Sequence, residues 1–468
     1  GKTVVLNTDG TVGIVTQTTS STPTAGTPVV FESGTTANVS VAYVGSSKVV
    51  IAYCDDSNSG HGTAVVGTIS GDTITFGTPV VFEAANVGGT LVSATYDSTN
   101  DKVVIAYRDG GNSAYGTAIV GTVSGTSISF GSAVAFMSDT FEHASSTFDS
   151  TNGKVVIAWR DGSNPNYGKA IVGTVSGTSI SFGSAATFES ANTESTSATF
   201  DSTNGKVVIA YEDSGNSHYG TAVVGTVDPS NNSITFGTPV EFESAYAWKI
   251  SATFDSTNGK VVIAYRLDSN GYGKAIVGTV SGTGASGTIS FGTAVTFESD
   301  STRNISAVYD STNEKVVISY KDDNNSNQGT AIVGTVSGTS ISFGSPLVFE
   351  SGITEHISSA YDSGSDKVAI AYMDESNSYY GTSVVFGAVT KTTNLTTDNY
   401  IGISGEAISN GATGKINIVG GINSGQSGLT TAQTYYVAPT GILTTTAATP
   451  SVVTGTSISD TKIIVWRS

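Results

Sequence analysis

The stretch Lys154-Val155-Val156-Ile157-Ala158-Trp159-Arg160-Asp161 has near-copies beginning at Lys48, Lys102, Lys206, Lys260, Lys315 and Lys367. The seven starts are separated by 54, 52, 52, 54, 55 and 52 residues. A fixed period in this range belongs to solenoids, propellers and arrays, and it constrains the chain more than any other feature. Each copy is a short, nearly continuous run of β-branched and apolar residues ending in charge. Such a run suits a strand covered on both faces and is too short for an ordinary helix.

One repeat reads as four strands. Ser145-Ser146-Thr147-Phe148 is the first, and Ser150-Thr151-Asn152-Gly153 carries the Asn-Gly hairpin signal. Lys154 to Asp161 is the second strand and residues 162–168 are a loop. Residues 169–175 form the third. Ile180 to Glu189 form the fourth, with a bulge or bend at Gly183. Four antiparallel strands in about 52 residues match one propeller blade. The first strands are small (Ser-Ala-Thr-Phe at 197–200 and 251–254), as crowding round an axis demands, and the second strands are bulky.

The count of pieces suggests closure. Pro28 to Ser33 is a fourth-type strand with no repeat before it, while the last repeat, 357–390, has no fourth strand. The expected fold is all-β: a seven-bladed β-propeller over 28–390, closed by the N-terminal strand 28–33, then a small C-terminal β domain over 391–468. An open β-solenoid explains neither the missing strand nor the period. Residues 1–27 hold a hairpin at 3–16, turning at Asp9-Gly10, and a Ser/Thr-rich connector; the hairpin has no place in the ring.

The chain has 56 Gly and 9 Pro in 468 residues, which suits short strands and tight turns. Its net charge of −18 repels phosphate backbones, so nucleic acid is excluded as a partner. No run is long enough for membrane insertion. The chain opens on Gly1, as a processed chain or part of a longer one would, and shows no signal-peptide pattern. Cys54 is the single cysteine, so no intrachain disulfide forms; it reads as an incidental occupant of a loop position. The four histidines fit no metal spacing, and no metal is expected.

Comparison among the repeats separates two faces. The Asp-Ser-Thr-Asn-Gly turns between strands one and two, and most turns between strands three and four, are nearly identical. The opposite face carries loops that differ. Those from strand four to the next repeat include Phe141, Glu142 and His143; Tyr246 and Trp248; Arg303; and Glu355 and His356. Those between strands two and three include His218 and Tyr379. Loops freed from a common backbone task can hold function. Aromatic rings beside polar groups suit sugars, so these residues are the candidate ligand-binding set.

Tyr115, Tyr167, Tyr219, Tyr272 and Tyr380 all precede the glycine opening strand three, which reads more simply as stacking between blades. Asp109, Asp161, Asp213, Asp322 and Asp374 end second strands. A ring of Ca²⁺ ligands is one reading; Asx-turns accepting loop N–H groups is the favoured one, and no cofactor is expected. Asp97, Asp149, Asp201, Asp255, Asp310 and Asp362 read as caps of the Asn-Gly turns.

The run Gly-Thr-Ala-Ile-Val-Gly-Thr-Val-Ser-Gly-Thr-Ser-Ile-Ser-Phe-Gly-Ser at 116–132 resembles repeats of tail-fibre and tail-associated proteins of marine bacteriophages, cyanophages especially. Residues 399–404, 426–430, 435–437, 450–456 and 459–465 are similar to a small domain ending many such virion proteins. Residues 1–12 look like a segment leading into such repeats. The resemblance covers nearly the whole chain and brings no catalytic motif. It implies an extracellular virion component, a tail fibre or spike and often a homotrimer, that meets other tail proteins and a host-surface glycan or receptor. The alternative is a secreted or cell-surface lectin-like propeller or a bacterial appendage subunit. An enzyme is not expected: Arg108, Arg160 and Arg266 recur at one position, but no nucleophile and general acid gather round them.

Overall fold

The computed structural model describes all residues except 89–91, 164–165, 283–286, 410, 449 and 467–468. The described residues form strands, turns and single 3₁₀ turns, with no helix long and apolar enough to cross a membrane. They pack as two units, residues 23–388 and residues 1–22 with 389–468.

In each repeat the apolar second strand lies between two antiparallel neighbours. Lys154–Asp161 pairs with the inner part of Val134–Asp149 on one side and with Tyr167–Ser176 on the other. Both its faces are covered. Val155 and Ile157 pack with Val104 and Ala106 of the repeat before, and Val156 and Ala158 with Val207 and Ile209 of the repeat after. The core therefore lies between successive sheets, which is why these strands are apolar at every position.

The fourth strand departs from the expected single run. Tyr167–Ser176 pairs with Ser179–Phe182 along one half and with the start of Ala186–Asp201 along the other. The break falls at Gly183. A Cβ there would lie 2.0 Å from the carbonyl oxygen of Asn232, in the following repeat's turn, so only glycine lets the next sheet approach.

The segments read as loops between strand four and the next repeat are not loops. Val134–Asp149, Ala186–Asp201, Val240–Asp255, Val295–Asp310 and Leu347–Asp362 are continuous strands. Each begins as the outer strand of one sheet and ends as the inner strand of the next. A β-bulge makes the transfer: the pairing skips from Glu142 to Ser145, with His143 at φ 50°. Polar side chains on these segments disguised the strand.

The hydrogen-bonded order starts at Ser93–Asp97, runs through the later repeats to Tyr380–Gly387, continues into Val29–Tyr43, and ends at Val80–Asn86. These end strands are the two parts of the segment 80–97, and among the described residues nothing joins them, so the ladder is not closed there. The N-terminal strand meets the last repeat through the pairs Val29↔Ser383, Val30↔Thr382 and Glu32↔Gly381. Its other half pairs with Lys48–Asp55.

The inner strands are linked by serines. Ser40, Ser93, Ser145, Ser197, Ser251 and Ser306 each accept, through Oγ, the backbone N–H of the next inner strand, from Ala94, Ser146, Ala198, Ala252, Ala307 and Ser359 at 2.9–3.0 Å. The series returns to its start: Val41 N–H donates to Ser358 Oγ at 3.1 Å. Small size alone therefore does not explain these residues; each serine is an acceptor.

A second tie lies further out. Tyr53, Tyr107, Tyr211, Tyr265, Tyr320 and Tyr372 are fully buried. Their hydroxyls donate to Glu32, Glu83, Glu189, Glu243, Glu298 and Glu350 at 2.8–3.0 Å. The remaining repeat has Trp159 in place of the tyrosine and Met137 in place of the glutamate, with Trp159 Nε1 buried and unpartnered. The lost acceptor and the lost hydroxyl go together.

The hairpin left over by the repeat pattern belongs to the other unit, in which residues 1–22 and 389–468 pack together, while Thr24–Ala25 pairs with Tyr380–Gly387 of the repeat unit. Thr3–Leu6 pairs with Val12–Ile14 and with Tyr400–Ser404, and Gln17–Ser20 pairs with Thr390–Thr393. Val5, Val15, Leu395, Tyr400, Val437 and Val452 form a shared core. Lys462–Val465 lies between Ile422–Asn423 and Val453–Ser459.

Candidate functional site

The bulges place the candidate site. Asn38, His143, Ser195, Lys249, Asn304 and His356 occupy the same bulge position in six repeats, all with φ between 49° and 52°. A non-glycine residue rarely adopts this conformation, and the surrounding ladder holds it there. The residue before each is cross-strand partner to the penultimate residue of the second strand, which ends in Asp except at Leu267. These pairs are Ala37↔Cys54, Glu142↔Arg160, Glu194↔Glu212, Trp248↔Arg266, Arg303↔Lys321 and Glu355↔Met373. One backbone device thus presents three different side chains from each repeat at one end of the inner strands.

These side chains meet across repeats. Arg160 is held by Glu142 at 3.2 Å and by Glu194 of the following repeat at 2.9 Å. Lys321 and Asn304 both bond the Glu355 carboxylate. Arg303 pairs with Asp323 at 2.9 Å. Lys249 Nζ lies 4.5 Å and Arg266 Cζ 5.5 Å from the centre of the Trp248 ring. His218 pairs with the buried Glu212 at 2.5 Å and stacks on Tyr246 at 4.6 Å.

Desolvation dominates the electrostatics. It lowers the pKa of His143 below the ordinary imidazole value, with Glu194, Arg160, Glu142 and Lys249 as the charges it feels. It lowers His356 likewise, with Glu355, Lys249 and Asp56 nearby. It lowers Lys249, which feels Glu355, Arg303, Arg266 and Glu194. Lys249 therefore links the His143 and His356 neighbourhoods, which come from distant repeats. Burial raises Glu212. For Glu355 burial also pushes upward, but its hydrogen bonds to Lys321 and Asn304 outweigh that and lower it.

Of the predicted residues, Glu142, His143, Trp248, Arg303, Glu355 and His356 lie in this group, with His218 and Tyr246 stacked at its edge. Phe141 is a correction. It is fully buried and packs against Phe136 and Trp159, because the strand turns this side chain into the core rather than outward. Tyr379 is exposed on the turn before Tyr380–Gly387, and no hydrogen bond or ring contact joins its side chain to the group among the described residues. Sequence comparison passed over Glu194, Lys249, Asn304 and Lys321, and noted Arg266 only as a recurring arginine position weighed for an enzyme. Their signal is positional: each occupies a site that other repeats fill differently.

Other readings also resolve. Asp109, Asp161, Asp213, Asp322 and Asp374 accept N–H groups from Asn112, Ser163, Asn216, Asn325 and Asn377, the Asx-turn arrangement. Asp149 Oδ1 accepts Thr151 and Asn152 N–H at 3.0 Å, and Asp97, Asp201, Asp255 and Asp310 repeat this cap. The five tyrosines opening strand three are half-buried and make no ring-to-ring contact among the described residues, so blade stacking does not account for them. Cys54 is not in a loop. It is a buried strand residue whose thiol burial pushes upward, with Sγ 3.4 Å from Gly60 O.

A cavity of about 460 Å³ lies at the other end of the inner strands, lined by Phe148, Phe200, Phe254, Tyr309 and Tyr361 with neighbouring Thr and Ser residues. Its lining repeats nearly unchanged between Asp-capped turns. That uniformity follows from the turns and does not distinguish a ligand, so the bulge end remains the candidate.

No family model and no curated protein matches the chain. Among solved structures, it is similar to SapL1 lectin in complex with alpha methyl fucoside, at 12% identity and TM-score 0.40 over 68% of this chain and 97% of the lectin. It is similar to Sqt1 of Saccharomyces cerevisiae at 10% identity and TM-score 0.44, over 77% and 98%. It is also similar to a triple arginine-to-alanine mutant of AofleA from Arthrobotrys oligospora at 11% identity and TM-score 0.43, over 72% and 93%. At these scores the likeness identifies neither a ligand nor a blade count.

Proposed function

We propose that residues 28–390 form a seven-bladed β-propeller closed by the N-terminal strand, and that the protein is a non-enzymatic virion tail-fibre or spike component adhering to a host-surface glycan through the bulge end. The Val29↔Ser383 pairing and the serine series that returns from Ser358 to Val41 support the ring. One observation carries the adhesive reading: the same backbone bulge presents Asn, His, Ser or Lys in six repeats and varied neighbours beside it, while the opposite turns stay uniform. A non-enzymatic role fits the acids at this end, since Glu142, Glu194 and Glu355 are engaged with Arg160 and Lys321. The virion setting and a trimeric fibre rest on the resemblance of residues 1–12, 116–132 and 399–465.

The test is adsorption to immobilised host envelope glycans, wild type against the Tyr246→Ala, Trp248→Ala double variant. Both side chains are partly exposed, so the variant should fold and bind weakly. Undiminished binding removes the assignment. Electron microscopy locating the chain on a cell filament instead of a virion tail would favour the appendage reading.

A further inference from the structure

Arg108, Arg160 and Arg266 stand at one repeat position, each in the second strand of its repeat. Arg108 donates to Gly88 O, and the other two differ in their partners. Arg160 sits between two carboxylates, Glu142 from its cross-strand partner and Glu194 from the next repeat. The residues equivalent to those glutamates around Arg266 are Trp248 and Arg303. No carboxylate replaces them: Arg266 Nε is buried with no hydrogen-bond partner, and its guanidinium is held against Trp248 instead.

The surroundings sharpen the imbalance. Lys249, Arg266, Arg303 and Lys321 lie in two adjacent repeats of a chain with 20 basic and 38 acidic residues. Lys321 is matched by Glu355 and Arg303 by Asp323, but no ion pair is formed by Lys249 or Arg266 among the described residues. Lys249 is partly desolvated, and it feels Arg303 and Arg266 as like charges against Glu355 and Glu194, neither of which forms an ion pair with it among the described residues. Holding Lys249 and the Arg266 Nε partly out of water, each without an ion pair among the described residues, costs free energy that a bound anion would offset. A planar guanidinium flanked by an aromatic ring fits a carboxylate better than a neutral hydroxyl.

We propose that Arg266, with Lys249 and Arg303, binds the carboxylate of an acidic sugar whose ring lies against Trp248 and Tyr246. This rests on the glycan reading above and names the ligand class within it. The carboxylate takes the place that Glu142 and Glu194 hold beside Arg160.

The internal comparison also supplies substitutions the backbone accepts. Met373 stands at the position of Arg266, and Asn38 and Asn304 at that of Lys249. Calorimetric titration of the full chain with glucuronate, galacturonate and N-acetylneuraminate, each against its methyl ester, tests the proposal. At least one acid should bind about tenfold tighter than its ester or better, with affinity falling as salt rises. Arg266→Met and Lys249→Asn should erase that preference while leaving the melting temperature unchanged. Equal binding of acids and esters, or a preference that survives Arg266→Met, overturns the carboxylate assignment and leaves glycan adhesion standing. Failure of acids, esters and host glycans alike overturns both.

Discussion

Ser358 Oγ accepts the backbone N–H of Val41 at 3.1 Å, joining residues 317 positions apart in the chain. The same bond recurs between neighbouring inner strands, from Ser40 to Ala94 through Ser306 to Ser359. The end that joins the first inner strand to the last thus uses the same chemistry as every internal joint.

Ser358→Ala should therefore cost about 1 kcal/mol, the loss expected when a buried N–H loses its acceptor, and Ser145→Ala should cost a similar amount. Urea denaturation of the two variants checks this. A silent Ser358→Ala beside a costly Ser145→Ala would mean that the terminal joint contributes nothing.

The Trp159 repeat predicts a coupled pair. Trp159→Tyr alone buries a hydroxyl without an acceptor, and Met137→Glu alone places a carboxylate beside an indole. Together they recreate the Tyr–Glu bond of the other repeats, such as Tyr211 with Glu189 at 3.0 Å. A double-mutant cycle should show favourable coupling of about 1 kcal/mol or more. Additive losses would show that the Tyr–Glu tie is not transferable between repeats.

Gly131 and Gly125 lie six residues apart and should respond oppositely. A Cβ on Gly131 would fall 1.8 Å from Thr178 O, so Gly131→Ala should cost about 3 kcal/mol or more by prising two sheets apart. Gly125 has φ +61° and open space, so Gly125→Asn, which tolerates that conformation, should cost about 1 kcal/mol or less. Thermal melts of both variants compare them directly.

His143 and His356 predict an acid-side loss. Both have folded pKa values below the ordinary imidazole value, so the unfolded chain takes up protons first as pH falls. Their contribution is intact above pH about 6.5, declines as pH drops below it, and levels off once the folded form also titrates. Glu212, Asp213 and Asp322, with raised values, push the other way at lower pH. Melting temperatures of wild type and the His143→Asn, His356→Asn variant, between pH about 7.5 and 5.5, separate the two. The variant should lose less; parallel curves would refute the assignment.

The strands and turns of the repeat were legible because their physics is local. Val155 to Ala158 had to be covered on both faces, and Asp149 with Asn152-Gly153 had to make a turn. What stayed hidden depended on neighbours in space. Asp139 to His143 reads as a polar loop because nothing local reveals that a bulge at His143 carries one strand between two sheets. The role of Ser145 needed its partner Ala198, and the exchange of carboxylates for Trp248 and Arg303 around Arg266 needed Arg160 for contrast. Phe141 misled for the same reason: an aromatic residue among polar neighbours suggests exposure until the side to which its strand turns is known. The hairpin at 3–16 could not be placed because its partners, Tyr400 to Ser404, lie at the far end of the chain.

Because Val134–Asp149 and its counterparts each serve two sheets, the repeating unit of sequence is out of phase with the repeating unit of structure. A deletion of one sequence period, from Lys154 through Gly205, would remove the outer strand of one sheet and the inner strand of its neighbour at once. If the ring closes as proposed, the loss of an internal period would leave Val29 seated against Ser383 and change the number of sheets by a whole step, with every remaining sheet re-spaced to absorb it.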